Sequence, residues 1–231
     1  MEFDSTFTTV ARAPDADPAV LRNEPNLFRL SVADALAAGG PVTRLFIEHL
    51  PDDWREDPGV EIRSKLAWLR RGWYPGQVVG DWHVDLVPQR PDGLGQDYRG
   101  ADEHVRRCET IACVFGDVSM TEYIVGRFTL PDYPPGQPQQ LLYDRHIERL
   151  IAAGKLPRRR VAPGELLRFG FGAFHRVAPA HAEGWRMIFR AVRGWEYPGP
   201  RRGDFWQTCN QYFRPETPED LLLYQPYMEG A

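Results

Sequence analysis

Along most of the chain, apolar residues gather in short runs set apart by Gly, Pro and Asp. That is the pattern of brief strands joined by tight turns. Runs of this kind predict strands at 45–47, 65–70, 78–87, 109–115, 120–128, 165–169, 175–177 and 186–192. Gly116-Asp117 is the turn expected to make 120–128 the hairpin partner of 109–115, and Trp73 to Gly76 turns the chain before 78–87. Helical spacing is rarer. Ser31 reads as an N-cap for a helix over 32–38, stopped by Gly39 and Gly40. Leu142, His146, Ile147, Leu150 and Ile151 recur with helical spacing over 139–153, and Gly154 stands where a helix ends.

Other stretches are irregular. Residues 1–26 are polar, broken by Pro14, Pro18 and Pro25, and read as an extension whose order depends on docking. A loop or short helix is expected around Asp52 to Trp54, with loops at 88–100 and 131–138. Thr217-Pro218-Glu219-Asp220 opens a last helix, with the threonine as cap, proline in the first position and acids in the first turn. There is no repeat and no long linker, so 1–231 reads as one domain. Many strands and few helices predict a mainly β fold, a sandwich or barrel with flanking helices.

Composition narrows the class. A 42% apolar content excludes a disordered chain, and 21 proline and 21 glycine residues suit a β fold rich in turns. A net charge of −4 offers no broad basic surface to nucleic acid. The one basic cluster, Lys155 to Arg160, reads as a solvated loop. Cys108, Cys113 and Cys209 make an odd count without metal-type spacing, which predicts reduced thiols in a cytoplasmic protein. Cys108 and Cys113, five apart, are expected on opposite sides of one strand. The N-terminus lacks a basic segment followed by an apolar one, and no apolar run is long enough for a membrane span.

The chemistry concentrates in Asp81-Trp82-His83-Val84-Asp85. Strand residues two apart share a face, so His83 and Asp85 aim at one point. A second imidazole, His175, follows Gly172-Ala173-Phe174. Two imidazoles and one carboxylate on one side of a metal form the facial triad suited to non-heme Fe(II) and O₂ chemistry. Arg186 lies eleven residues beyond His175 and Arg190 fifteen beyond it. A planar guanidinium matches a carboxylate bidentately. His181 reads as loop surface, and His49, His104 and His146 as structural or solvent-facing.

These residues resemble the pattern of the Fe(II)/2-oxoglutarate-dependent dioxygenases: His-x-Asp, a distant His, then a basic residue ten or eleven further on. Trp82 before the first histidine, and the spacing of Arg186 and Arg190, are similar to the taurine dioxygenase branch. The cadence of Pro179, Gly184 and Arg186 is nearer the prolyl hydroxylase and phytanoyl-CoA hydroxylase branches. The resemblance covers about 66–193. It implies a double-stranded β-helix, a cupin-like jelly roll of two facing sheets with helices packed outside. It implies Fe(II) on His83, Asp85 and His175, the distal carboxylate of 2-oxoglutarate on Arg186, and a hydroxyl from Thr121 to that carboxylate. Arg190 is open to an anionic group of substrate or cosubstrate, or to an acidic partner. The implied reaction uses O₂ to hydroxylate an aliphatic C–H of a small polar molecule, an amino acid, a peptide or a natural-product intermediate. Halogenation is disfavoured, because Asp85 fills the position a halide needs. Three rivals are a cupin-type metal dioxygenase without 2-oxoglutarate, which Arg186 speaks against, a non-catalytic jelly-roll binding module, and a nucleic-acid demethylase, which the acidic balance disfavours. The loop 88–100 follows the ligand strand and is expected to close over the site, with Arg90, Asp92, Asp97, Tyr98 and Arg99 as candidate substrate contacts.

Overall fold

The computed structural model describes residues 1–75, 82–85, 87, 98, 101, 103–133, 139–194 and 212–213. The chain begins with β1 (Glu2–Ser5), β2 (Phe7–Arg12), α1 (Pro18–Leu21), β3 (Leu30–Ser31), α2 (Val32–Ala38), α3 (Pro41–Glu48) and α4 (Asp52–Arg55). Next come β4 (Glu61–Leu69), β5 (Trp73–Tyr74), α5 (Glu103–Arg107), β6 (Glu109–Phe115), β7 (Thr121–Ile124) and β8 (Gly126–Thr129). It continues through α6 (Gln139–Ala152), β9 (Arg158–Arg160), β10 (Glu165–Gly170), β11 (His175–Val177), β12 (Gly184–Arg193) and β13 (Tyr212–Phe213).

The described strands pair antiparallel. A six-stranded sheet runs β2-β10-β6-β12-β4-β3, a three-stranded sheet runs β11-β7-β9, and β1-β8 and β5-β13 form two small ladders. His83 extends the edge of the three-stranded sheet. It bridges His175, each donating its backbone N–H to the other's carbonyl at 3.0 and 2.9 Å.

The two faces of the large sheet follow from the alternation of side chains. On β6, Ile111, Cys113 and Phe115 join Met187 and Phe189 of β12 in the main apolar cluster, packed under Leu21, Ala35, Phe46 and Trp54 of the four N-terminal helices. The opposite face carries Ala112 of β6 with Leu167 and Phe169 of β10. These meet Tyr123 of the three-stranded sheet, so the two sheets close on one another. Arg186 and Arg190 alternate with Met187 and Phe189, and therefore belong to this inner face. Behind the three-stranded sheet lies a second core, where Phe3, Phe128, Phe174 and Trp82 pack against Tyr143 and Ile147 of α6.

Several expectations are corrected. Residues 45–47 are helical, as part of α3. Pro41 starts that helix in a position that needs no donor. The Glu24 carboxylate accepts from the backbone N–H of Gly40, Val42 and Thr43 at 2.8–3.0 Å, satisfying its open N-terminus. Residues 120–128 are not the hairpin partner of β6. Gly116, at φ 79, turns the chain out of the large sheet. A β-carbon there would stand 2.3 Å from the Trp185 carbonyl oxygen, so only glycine fits. The chain then forms β7 in the other sheet, breaks at Gly126 (φ 109), and forms β8 against β1.

The N-terminal extension supplies two strands, β1 and β2, which dock on β8 and β10. The basic cluster at 155–160 is no free loop. Arg158–Arg160 is the edge strand β9, with Arg158 and Arg160 paired to Glu122 and Arg159 to Glu165. Trp73 and Tyr74 form a short strand rather than only a turn. Cys108 precedes β6 instead of sharing it with Cys113; both are buried and unbridged. Helices α2, α4 and α6, and strands β6 and β10 to β12, fall where the sequence places them to within a few residues, while α1 and α5 have no counterpart in the sequence reading. Residues 78–81 and 86 of the expected ligand strand, the loop 88–100 apart from Tyr98, residues 134–138, Cys209 and the helix expected at 217 lie outside the described residues. Among the described residues, no helix is long and apolar enough to cross a membrane.

Candidate metal centre

His83 and His175 face each other across the bridge, with ring centroids 4.6 Å apart. Asp85, two residues on, points the same way. The potential ligand atoms of His83, Asp85 and His175 all lie within 4.8 Å of one another. His175 is 2% exposed, and its Nδ1 stands 3.0 Å from the Ala173 carbonyl oxygen. A carbonyl only accepts, so Nδ1 carries the proton and the lone pair of neutral His175 sits on Nε2, facing Asp85.

The carboxylate of Asp85 is unusually placed. Oδ1 lies 3.3 Å from a guanidinium nitrogen of Arg190. Oδ2 is buried and, among the described residues, has no hydrogen-bond partner. Nε2 of His175 lies 3.5 Å from it, too far for a good hydrogen bond. Burial alone would push the Asp85 carboxyl up. The charge of Arg190 leads the causes that oppose it, and the group is held well below the usual carboxylate range. An ionised, buried oxygen without a donor is costly unless a cation meets it. The donor set is two neutral nitrogens and one hard oxygen on one side of a common point, which fits a borderline divalent metal such as Fe(II).

Deeper between the sheets lies Arg186, 2% exposed. Its Nε donates to the Ser119 carbonyl oxygen at 2.6 Å and its Nη2 to Thr121 Oγ1 at 3.2 Å. Among the described residues no carboxylate pairs with it. Burial first, and the charge of Arg190 second, pull Arg186 down to about 9, which leaves it cationic at neutral pH. A buried, unpaired guanidinium beside a hydroxyl is a receptor for an anion. The structure thus brings Arg186 and Thr121 together, and places Arg190 against Asp85.

Sequence reasoning passed over Tyr123. It is the register partner of His175, with ring centroids 5.2 Å apart, and it shares the inner face with Thr121. Burial, then the charge of Asp85, push its hydroxyl up, so the phenol stays protonated. The signal was available: Tyr123 is two residues beyond Thr121 in one strand. His181 is exposed, as read from the sequence. His49 and His146 each place a ring nitrogen near a backbone carbonyl, of Leu45 and Thr129 respectively. Tyr98, a candidate substrate contact, is buried among Phe3, Tyr143 and Phe174. Arg90, Asp92, Asp97 and Arg99 lie outside the described residues.

No family model matches the chain, and no curated protein matches it. Among solved structures, it is similar to "Non-heme monooxygenase, ThoJ-Ni complex", at 13% identity and a TM-score of 0.39 over 98% of this chain and 92% of that one. It is also similar to "non-heme monooxygenase; ThoJ apo", at 12% identity and a TM-score of 0.40 over 82% of this chain and 74% of that one. Likenesses this slight carry no argument, and the functional reading rests on the residues themselves.

Proposed function

We propose that this protein is an Fe(II)- and 2-oxoglutarate-dependent oxygenase that hydroxylates an aliphatic C–H of a small polar molecule, amino acid, peptide or natural-product intermediate. The observation that carries the reading is the triad of His83, Asp85 and buried His175, with a carboxylate oxygen that no donor among the described residues satisfies. The strand order supports a double-stranded β-helix. β10-β6-β12-β4 would be one face and β9-β7-β11 with the His83 segment the other. The unbridged Cys108 and Cys113 suit a reducing, cytoplasmic setting.

In this reading His83, Asp85 and His175 hold the metal. With 2-oxoglutarate and O₂ bound, the iron supplies the oxidising chemistry for C–H hydroxylation. The chain's own residues do the rest. Arg186 takes the distal carboxylate of 2-oxoglutarate, and Thr121 completes its cradle. Arg190 neutralises the side of Asp85 turned away from Oδ2. The protonated Tyr123 offers a donor near both the metal side and Arg186. The apolar residues between the sheets, such as Leu167 and Phe169, keep water from the reacting centre.

The test is product formation. The purified protein should convert 2-oxoglutarate to succinate slowly without substrate, only with Fe(II) and O₂ present, and His175→Ala should abolish the conversion. Succinate formation that ignores iron or survives His175→Ala would contradict the reading.

A further inference from the structure

The two histidines are adjacent to residues that face the other way. Trp82 precedes His83 and Arg176 follows His175. Neighbouring strand residues point to opposite faces, so both project behind the three-stranded sheet, toward α6. There the Arg176 guanidinium carbon sits 4.4 Å from the centroid of the Trp82 ring, in cation–π contact. Glu148, on α6, ties the pair together. It accepts from Trp82 Nε1 at 2.8 Å and from Arg176 Nη1. Asp144, one turn earlier, accepts the Trp82 backbone N–H at 3.2 Å. Glu122 of β7 accepts from Arg176 Nε at 3.1 Å.

Trp82 is therefore held by its backbone, its ring nitrogen and its ring face, and is fully buried. Global stability is a poor explanation for the Glu148 contacts. The Glu148 side chain is 40% exposed, and ion pairs so open to water contribute little. Local geometry is a better one. Among the described residues, the His83 segment joins the three-stranded sheet through the His83–His175 bridge and its two backbone hydrogen bonds. A bridge fixes the separation of two backbones more firmly than the tilt of their side chains. The contacts behind the sheet act on that tilt, because they join the residue next to His83 directly to the residue next to His175.

We infer that Glu148, Arg176 and Trp82 form a positioning clamp on α6 and β11 that sets the mutual orientation of His83 and His175. The clamp rests on the reading of the triad as a metal site. Its residues touch neither metal nor substrate; they act through the two histidines. Outer partners that orient metal ligands are worth roughly ten- to a hundredfold in metal affinity.

The test uses Co(II) as a spectroscopic probe of the full chain. Titration followed by visible absorption should give one bound Co(II) for the unaltered protein. Glu148→Ala should weaken Co(II) about ten- to a hundredfold and shift its ligand-field bands, with the thermal unfolding of the metal-free protein little changed. Glu148→Gln keeps an oxygen acceptor for Trp82 Nε1 and Arg176, and should return most of the affinity and the original bands. Trp82→Phe, which keeps an aromatic face for Arg176 but deletes the Nε1–H, is an independent arm and should shift the bands in the same sense as Glu148→Ala. Unaltered Co(II) affinity and spectrum in both Glu148→Ala and Trp82→Phe would overturn the clamp while leaving the triad intact. A Glu148→Gln variant as weak as Glu148→Ala would also overturn it. Failure of the unaltered protein to bind Co(II) would overturn the triad and the clamp together.

Discussion

At the scale of single residues, the site divides into side chains that advertise their chemistry and side chains that acquire it from their surroundings. His83, Asp85 and His175 belong to the first kind. Two of them are fixed by a two-residue spacing in an extended segment, and the third by a distance to Arg186. Arg190 and Tyr123 belong to the second. That Arg190 meets Asp85 depends on which strand faces which, and a lone arginine four residues past another does not disclose it. Arg186 is the sharpest case for experiment. It is buried, cationic and unpaired among the described residues, held by a carbonyl and a hydroxyl that bring no charge. A charge-assisted bond to 2-oxoglutarate contributes about 1.5–3 kcal/mol. Arg186→Ala should therefore weaken 2-oxoglutarate by roughly ten- to a hundredfold, measured by calorimetric titration of the Fe(II)-loaded protein without O₂. An unchanged affinity would move the anion site away from Arg186.

At the scale of elements, the sequence is most legible where a segment carries its own boundaries. α2 has its serine cap, which accepts from the Asp34 backbone N–H, and α6 ends at Gly154 with positive φ. β6 matches its apolar run residue for residue. Legibility fails where the deciding group is remote. Leu45, Phe46 and Ile47 look like a strand by composition. What makes them helical is Glu24, brought from sixteen residues before Gly40 to cap α3. Its carboxylate also accepts the Thr43 hydroxyl. Glu24→Ala strands three buried or part-buried N–H groups at a helix start, where loss of a cap typically costs about 1 kcal/mol and unsatisfied donors about 1–3 kcal/mol. Urea unfolding should show a loss in that range, with the metal site unaffected once folded. A midpoint within error of the unaltered protein would show that α3 does not depend on this cap.

At the scale of the whole molecule, the class was readable and the wiring was not. Short apolar runs and frequent turns predict a β-rich fold, and the described chain is mostly antiparallel sheet. The order of strands has no local signature. β6 and β7 are consecutive yet lie in different sheets, and β1 and β2 pair with strands more than a hundred residues away. Those long-range pairings create the inner face on which β7, β11 and β12 present Thr121, His175 and Arg186 beside the His83 segment. They also explain why a polar N-terminal stretch is ordered: its strands complete the sheets.

The central claim is that this assembly exists to hold a metal. It is tested most directly by anaerobic Fe(II) titration of the unaltered protein beside Asp85→Ala. Among the described residues, one carboxylate oxygen of Asp85 has no hydrogen-bond partner. The account predicts one equivalent bound to the unaltered protein, and binding lost or far weaker in the variant while its circular dichroism stays native. Equal Fe(II) stoichiometry and affinity in the two proteins would contradict it.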